Sequence, residues 1–206
     1  MSDNDNVSRF PPASRHAPQD DAVPLEAGKL EMIITYLQMR ARPAGLILPQ
    51  RAEALSVIRA RRPTLSFYRY LYNTVGADWM WYERNQLPDR ELAAIIHDVH
   101  VGIYVMYTGG VPAGFVELDR RRADEVELAY FGLMPEFIGR GLGHYLLSWA
   151  IDKAFGSALE SQPGRLWVHT CNHDHPHALA VYQRSGFGVY RQERTVIDDP
   201  RMLDKR

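Results

Sequence analysis

The run Leu133-Met134-Pro135-Glu136-Phe137-Ile138-Gly139-Arg140-Gly141-Leu142-Gly143-His144-Tyr145-Leu146-Leu147 constrains this chain more than any other. A strand-type segment ends there, and a turn with glycine at 139, 141 and 143 opens directly into an amphipathic helix. Alternate glycines let the backbone approach a ligand closely and aim successive N–H groups at an anion, and the helix adds its positive N-terminal dipole. Arg140 puts a full charge in the same turn. The pattern reads as a cradle for a pyrophosphate. It is not a P-loop, because no Gly-Lys followed by Ser or Thr occurs, and a dinucleotide fingerprint would need a third glycine where His144 stands.

At 206 residues the chain is long enough for one globular domain with a sizeable core. With 24 basic against 25 acidic residues it has no charge excess to attract nucleic acid, so electrostatic partners must be local. The single cysteine, Cys171, excludes an internal disulfide and a multi-thiolate zinc site, and fits a reducing compartment. Met1–Pro24 lacks the charged-then-apolar layout of a signal peptide, and nowhere does an apolar run reach the roughly 18 residues that span a membrane. A soluble, cytoplasmic protein without membrane association is expected; the oligomeric state stays open, a homodimer included.

Residues 1–24, rich in Asp, Asn, Ser and Pro, cannot bury enough surface to offset the entropy of ordering, and a flexible leader is expected there, followed by a single domain over 25–206. Lys29–Met39 reads as a first strand. Between Gln50 and Val75, apolar residues at helical spacing (Ala54, Leu55, Ile58, then Leu65, Tyr68, Leu71, Tyr72, Val75), broken by Pro63, predict two short helices. An aromatic loop, 76–83, precedes a helix over Arg90–His97 with Asp89 as its cap. Val99–Tyr107 and Val111–Arg120 flank Thr108-Gly109-Gly110, a hairpin signal, and Asp124–Met134 completes an antiparallel meander. A helix over Gly141–Phe155 should bury Leu142, Leu146, Trp149, Ala150 and the stem of Lys153; a strand over Arg165–Cys171, a helix over Pro176–Ser185 stopped by Gly186, and a strand over Phe187–Ile197 follow. This succession, a strand, helices, a three-strand meander and then alternating helices and strands, belongs to the α+β class.

These residues carry a resemblance to the GCN5-related N-acetyltransferase (GNAT) superfamily. Its coenzyme motif, Arg or Gln, two residues, Gly, one residue, Gly or Ala, falls on Ile138-Gly139-Arg140-Gly141-Leu142-Gly143. Its Asn-Pro-x-Ala-x-x-x-Tyr signature, followed by Gly-Phe, falls on His175-Pro176-His177-Ala178-Leu179-Ala180-Val181-Tyr182 and Gly186-Phe187. The chain departs from pattern at Ile138 and His175. The element order resembles that fold from about Lys29 to Ile197, with the first motif at the junction of its fourth strand and third helix. The resemblance implies a twisted, mostly antiparallel sheet of six to seven strands with helices on both faces. It also implies acetyl-CoA as cosubstrate, no metal, and transfer of an acetyl group to a primary amine by direct attack in a ternary complex. Leu133, Met134, Ile138, Gly139, Arg140, Gly141, Leu142, Gly143, His144, His175 and Tyr182 are then the expected coenzyme contacts. A parting of the fourth and fifth strands would free backbone groups near Leu133 for an amide-rich pantetheine arm and for the thioester carbonyl.

By the same resemblance Tyr182 protonates the departing thiolate, work that suits a phenol still protonated at neutral pH; its other reading is a core aromatic. Glu127 is the expected acceptor of the ammonium proton, directly or through water, against a reading as part of a solvated face: strict alternation puts Val126, Leu128 and Tyr130 on one side and Glu125, Glu127 and Ala129 on the other. The run Cys171-Asn172-His173-Asp174-His175-Pro176-His177 invites a metal reading, but Pro176 bends the chain and no second ligand cluster lies near; Asp174 or His175 capping the next helix is expected instead. Trp79, Trp81, Tyr82 and Glu83 are the expected acceptor contacts, with aromatic faces and a carboxylate suiting a cationic small-molecule or peptide amine. A GNAT-fold module that binds acyl-CoA without turnover is the alternative.

Overall fold

The computed structural model describes residues 25–49, 54–156 and 163–202. The expected leader and the first residues of the helix expected from Gln50 lie outside the described residues. The chain runs β1 (Lys29–Met39), β2 (Leu55–Arg59), α1 (Leu65–Gly76), α2 (Glu83–Gln86), α3 (Asp89–Ile96), β3 (Val101–Thr108), β4 (Val111–Asp119), β5 (Glu125–Leu133), a 3-10 turn (Pro135–Phe137), α4 (Leu142–Phe155), β6 (Arg165–Cys171), α5 (Ala178–Arg184) and β7 (Gly188–Asp198). Seven strands form one sheet in the order β2-β3-β4-β5-β6-β1-β7, antiparallel throughout except for β5 against β6. This is the expected α+β architecture. No helix among the described residues is long and apolar enough to cross a membrane.

Alternation along the strands splits the core into two layers. Val116 and Leu118 of β4 pack with Leu146, Leu147, Ala150 and Ile151 of α4 and Tyr182 of α5 on one face. Phe115 of β4 packs with Tyr68, Leu71 and Tyr72 of α1 and Leu92 of α3 on the other, the front face. The β3–β4 hairpin closes through Gly109 and Gly110 at φ 57° and 83°, the left-handed pair that a two-residue turn between right-twisted strands requires.

Four local expectations are corrected. Leu55–Arg59 is an edge strand and not a helix: it pairs with β3 from Leu55↔Thr108 to Arg59↔Tyr104, and Leu55 and Val57 pack inward while Ile58 is 55% exposed. That is a period of two, and sheet pairing outweighs the helical spacing of Ala54, Leu55 and Ile58. Asp89 does not cap α3; it sits inside the first turn, Pro88 occupies the cap, and its carboxylate accepts from Arg69 on α1 at 2.8 Å. Lys153 is exposed, because α4 buries Leu147, Ile151, Ala154 and Phe155 as well as Leu142, Leu146 and Ala150, which fills the inner face without it. Trp149 is half-buried against Tyr104.

The fourth correction lies on β5, the strand that carries Glu127. The β4–β5 register runs Asp119↔Glu127, Leu118↔Leu128, then Glu117↔Tyr130, so Ala129 is an inserted bulge residue. Tyr130 therefore leaves the face of Val126 and Leu128 and joins the front layer against Tyr72 and Trp81, on the side that also carries Glu127.

Candidate functional site

Parallel pairing of β5 and β6 covers only Glu125↔Arg165, Val126↔Leu166 and Glu127↔Trp167. Beyond it β6 stays with β1 as far as Cys171, while β5 stays with β4 as far as Leu133, and the strands part. A cavity of about 1300 Å³ opens at this gap, beyond the roughly 300–1,000 Å³ of a single small-molecule pocket. It passes from the α4–α5 side, where Leu133, Val181 and Tyr182 line it, to the front face, where Tyr130, His169 and Cys171 do.

At one end the chain leaves β5, makes the 3-10 turn and enters α4 through two left-handed residues, Gly139 at φ 81° and Gly141 at φ 72°, the latter the N-cap of the helix. Neither conformation is open to a bulky side chain without strain. The space over Gly139, where a Cβ would point, is empty to 4 Å. Ile138, Gly139, Gly141, Gly143 and His144 line this end, with Ile138 40% exposed. Three residues of the expected coenzyme set are not among the lining. The Met134 and Leu142 side chains are 2% and 1% exposed in the two core layers, and Met134 N–H donates to the Ala113 carbonyl at 2.9 Å. The Arg140 guanidinium lies 5.3 Å from the Phe137 ring centre.

Tyr182, on α5, is 6% exposed and wedged between Phe131 and Phe187 with ring centres at 6.1 and 5.8 Å. Burial, then the charge of Asp174, raises its phenol above the ordinary tyrosine range, so it keeps its proton at neutral pH. The ring belongs to the core and also lines the cavity. His175 lines it too, its ring edge-on to Trp79 at 4.9 Å, and its Nδ1 accepts from His177 N–H at 3.1 Å. Neither Asp174 nor His175 caps α5. Asp174 Oδ2 turns back to accept from Thr170 Oγ1–H at 2.7 Å and Cys171 N–H at 2.9 Å, closing the turn after β6. The Cys171 thiol is pushed up to about 11 by burial and the Asp174 charge, which makes it a poor thiolate source. No group of three or more His, Cys, Asp and Glu side chains that could hold a metal ion occurs among the described residues.

On the front face Trp79, Trp81, Tyr82 and Glu83 all line the cavity, with Met80 between them at φ 56°, a strained value for that residue. The loop is braced from below. Glu83 Oε2 accepts from the Tyr72 hydroxyl at 3.0 Å, Trp81 packs on Tyr72 and Tyr130, and Arg84 reaches Glu117 Oε1 at 2.6 Å. The Tyr68 hydroxyl donates to the other Glu117 oxygen at 2.6 Å. Sequence reading missed this ion pair; a carboxylate inside the apolar run Phe115-Val116-Glu117-Leu118 was its one available signal.

Glu127 stands apart from the main cavity. Its carboxyl lines a separate, smaller cleft of about 230 Å³ with Asp119, Arg121, Arg122, Glu125 and Trp167. Burial and the Asp119 carboxylate opposite push its pKa up to about 7. Between the two spaces stands His169, which sequence reading also missed: it lines the main cavity, and its Nδ1 is 3.8 Å from Glu127 Oε1.

Residues 66–187 match the Acetyltransferase (GNAT) family. Solved structures similar to this chain include a functionally unknown conserved protein from Staphylococcus epidermidis (TM-score 0.56, 15% identity, 83% of this chain and 63% of that one). A GCN5-related N-acetyltransferase from Kribbella flavida follows (0.54, 17%, 84% and 60%), as does the ribosomal-protein-S18-alanine N-acetyltransferase from Escherichia coli (0.52, 17%, 67% and 80%). The chain spans less than two thirds of the length of the first two. At these identities the likeness is one of fold. No curated protein matches the chain.

Proposed function

This chain belongs to the acetyltransferase (GNAT) family, and from that premise we propose that it transfers an acetyl group from acetyl-CoA to a primary amine by direct attack, with both substrates bound together. One observation carries the reading: the glycine turn, Tyr182 and the aromatic loop, which come from three distant parts of the sequence, line one cavity that passes through the gap between β5 and β6.

The residues present fit the coenzyme. Gly139 leaves open space beside the start of α4, and the helix N-terminus there suits its pyrophosphate. The β5 edge from Leu128 to Leu133, released from β6, offers peptide groups to an amide-bearing arm and to a thioester carbonyl. When bound, acetyl-CoA supplies an already activated acyl group, so the chain's main contribution is to hold amine and thioester in register. Tyr182 keeps its proton until the sulfur leaves and then donates it. The proton shed by the ammonium leaves toward Glu127.

On the acceptor side, aromatic faces at Trp79, Trp81 and Tyr82 beside the Glu83 carboxylate favour a cation on an apolar body, each ring contact contributing about 0.5–2 kcal/mol. The test is thiol release from acetyl-CoA by the purified chain across arylalkylamines, polyamines, amino sugars, lysine and peptide N-termini. Turnover with at least one class is expected. No thiol release above the hydrolytic background with any of them would overturn the proposal.

A further inference from the structure

Resting on the acetyl-transfer reading, the geometry points to His169, and not to Glu127 itself, as the group that takes the proton from the acceptor amine, with Glu127 as the positioning residue behind it. Three independent features of the fold place His169 there.

The first is strand order. On β6, Trp167, His169 and Cys171 share the front face, His169 standing opposite Tyr36 of β1. Trp167 is the last β6 residue paired with β5. His169 is therefore the first front-face residue beyond the point of parting, at the mouth of the gap through which the thioester must meet the amine.

The second is the division of space. His169 lines the main cavity, whereas Glu127 lies outside that lining and faces the smaller cleft, so a proton taken directly by Glu127 would have to cross from one to the other. The imidazole connects the two, its Nδ1 3.8 Å from Glu127 Oε1, within the slack that catalytic pairs show before substrate binds.

The third is orientation. The His169 ring is held against Tyr36 and Trp167, with ring centres at 5.9 and 6.2 Å, and the Tyr36 hydroxyl is tied to Glu193 Oε2 at 2.9 Å. Nδ1 faces Glu127, which leaves Nε2 for the cavity. A carboxylate on Nδ1–H selects the tautomer with a bare Nε2 and stabilises the imidazolium once it forms. The raised pKa of Glu127 matches a carboxyl that exchanges protons near neutrality.

The step balances. His169 Nε2 takes one proton from the ammonium; the freed nitrogen pair makes the new C–N bond as the C–S pair stays with sulfur. Tyr182 supplies the sulfur's proton and recovers one from the nitrogen. His169 then releases the Nε2 proton to solvent from its exposed ring while Nδ1–H stays toward Glu127, which restores the starting tautomer.

The test uses the intact chain, acetyl-CoA and the amine class that turns over fastest. H169A should lower kcat by about 10²- to 10⁴-fold with little change in acetyl-CoA affinity, and added imidazole should restore part of the rate. H169Q, which keeps bulk in the half-exposed ring site, should lose as much. E127A should shift the His169 ring toward the Nε2–H tautomer, read from side-chain ¹⁵N shifts without any turnover. H169A and H169Q turning over within threefold of the parent would overturn the proposal and leave acetyl transfer standing, as would an unchanged His169 tautomer in E127A. A parent that releases no thiol with any amine would overturn the transfer reading and this step together.

Discussion

Arg84 Nη2 lies 2.6 Å from Glu117 Oε1, and the Glu117 side chain is wholly excluded from solvent. The pair joins α2, at the end of the aromatic loop, to β4 in the middle of the sheet. Tyr68 adds a second bond to the carboxylate, and the Arg84 guanidinium rests 5.1 Å from the centre of the Tyr130 ring. A buried ion pair with its remaining valences filled contributes little net stability over an apolar replacement, but removing one partner strands the other.

Glu117→Ala should therefore destabilise the fold by about 3–5 kcal/mol, because Arg84 and the Tyr68 hydroxyl lose their acceptor in a nearly dry site. Urea denaturation measures it. A loss below 1 kcal/mol would mean that water reaches the site and the loop is not anchored here.

Tyr182→Phe keeps the ring packed between Phe131 and Phe187 and removes only the hydroxyl. We expect kcat to fall by about 10²-fold or more, with acetyl-CoA affinity nearly unchanged. Equal turnover in the variant would eliminate the proton-donor role.

Gly141→Val places a β-branched residue at φ 72°, where such side chains are strained, and sets its methyls at the head of α4 where an anion would sit. Acetyl-CoA binding by calorimetry should disappear while far-UV circular dichroism is retained. Unaltered affinity would move the pyrophosphate away from this turn.

Glu127 yields a pH-dependent prediction. Its folded-state pKa, about 7, lies above the ordinary carboxyl value, so the folded chain holds that proton more tightly than the unfolded chain does. The stability this contributes is complete below the unfolded pKa, near 4.5, and is lost as pH rises through about 7. Glu127→Gln should accordingly gain on the parent by up to about 3 kcal/mol at pH 8.5 and by far less at pH 5. Denaturation midpoints at the two pH values decide it; an equal difference at both would show that the carboxyl titrates normally.

Much of the fold could be read locally. The Gly109-Gly110 hairpin, β1, β6 and the start of α4 fall where hydrophobic period and turn chemistry put them. Leu55–Arg59 could not be read that way, since five residues carry too little periodicity to choose between helix and strand, and its pairing with β3 made the choice. The bulge at Ala129 was equally silent, because it exists only relative to β4 and it alone turns Tyr130 to the front face.

By itself the sequence determined the family and located the glycine turn and the His175–Phe187 run, because a glycine-studded strand-to-helix turn and a helix-to-strand signature are written in short-range spacing. Tertiary structure decided how the front face of the cavity is wired. Whether Glu127 faces the cavity, whether His169 stands between it and the gap, and whether Arg84 finds Glu117 depend on strand register and on where β5 and β6 part. The Arg84–Glu117 and Glu127–His169 contacts join residues more than thirty positions apart, whose proximity no local pattern encodes.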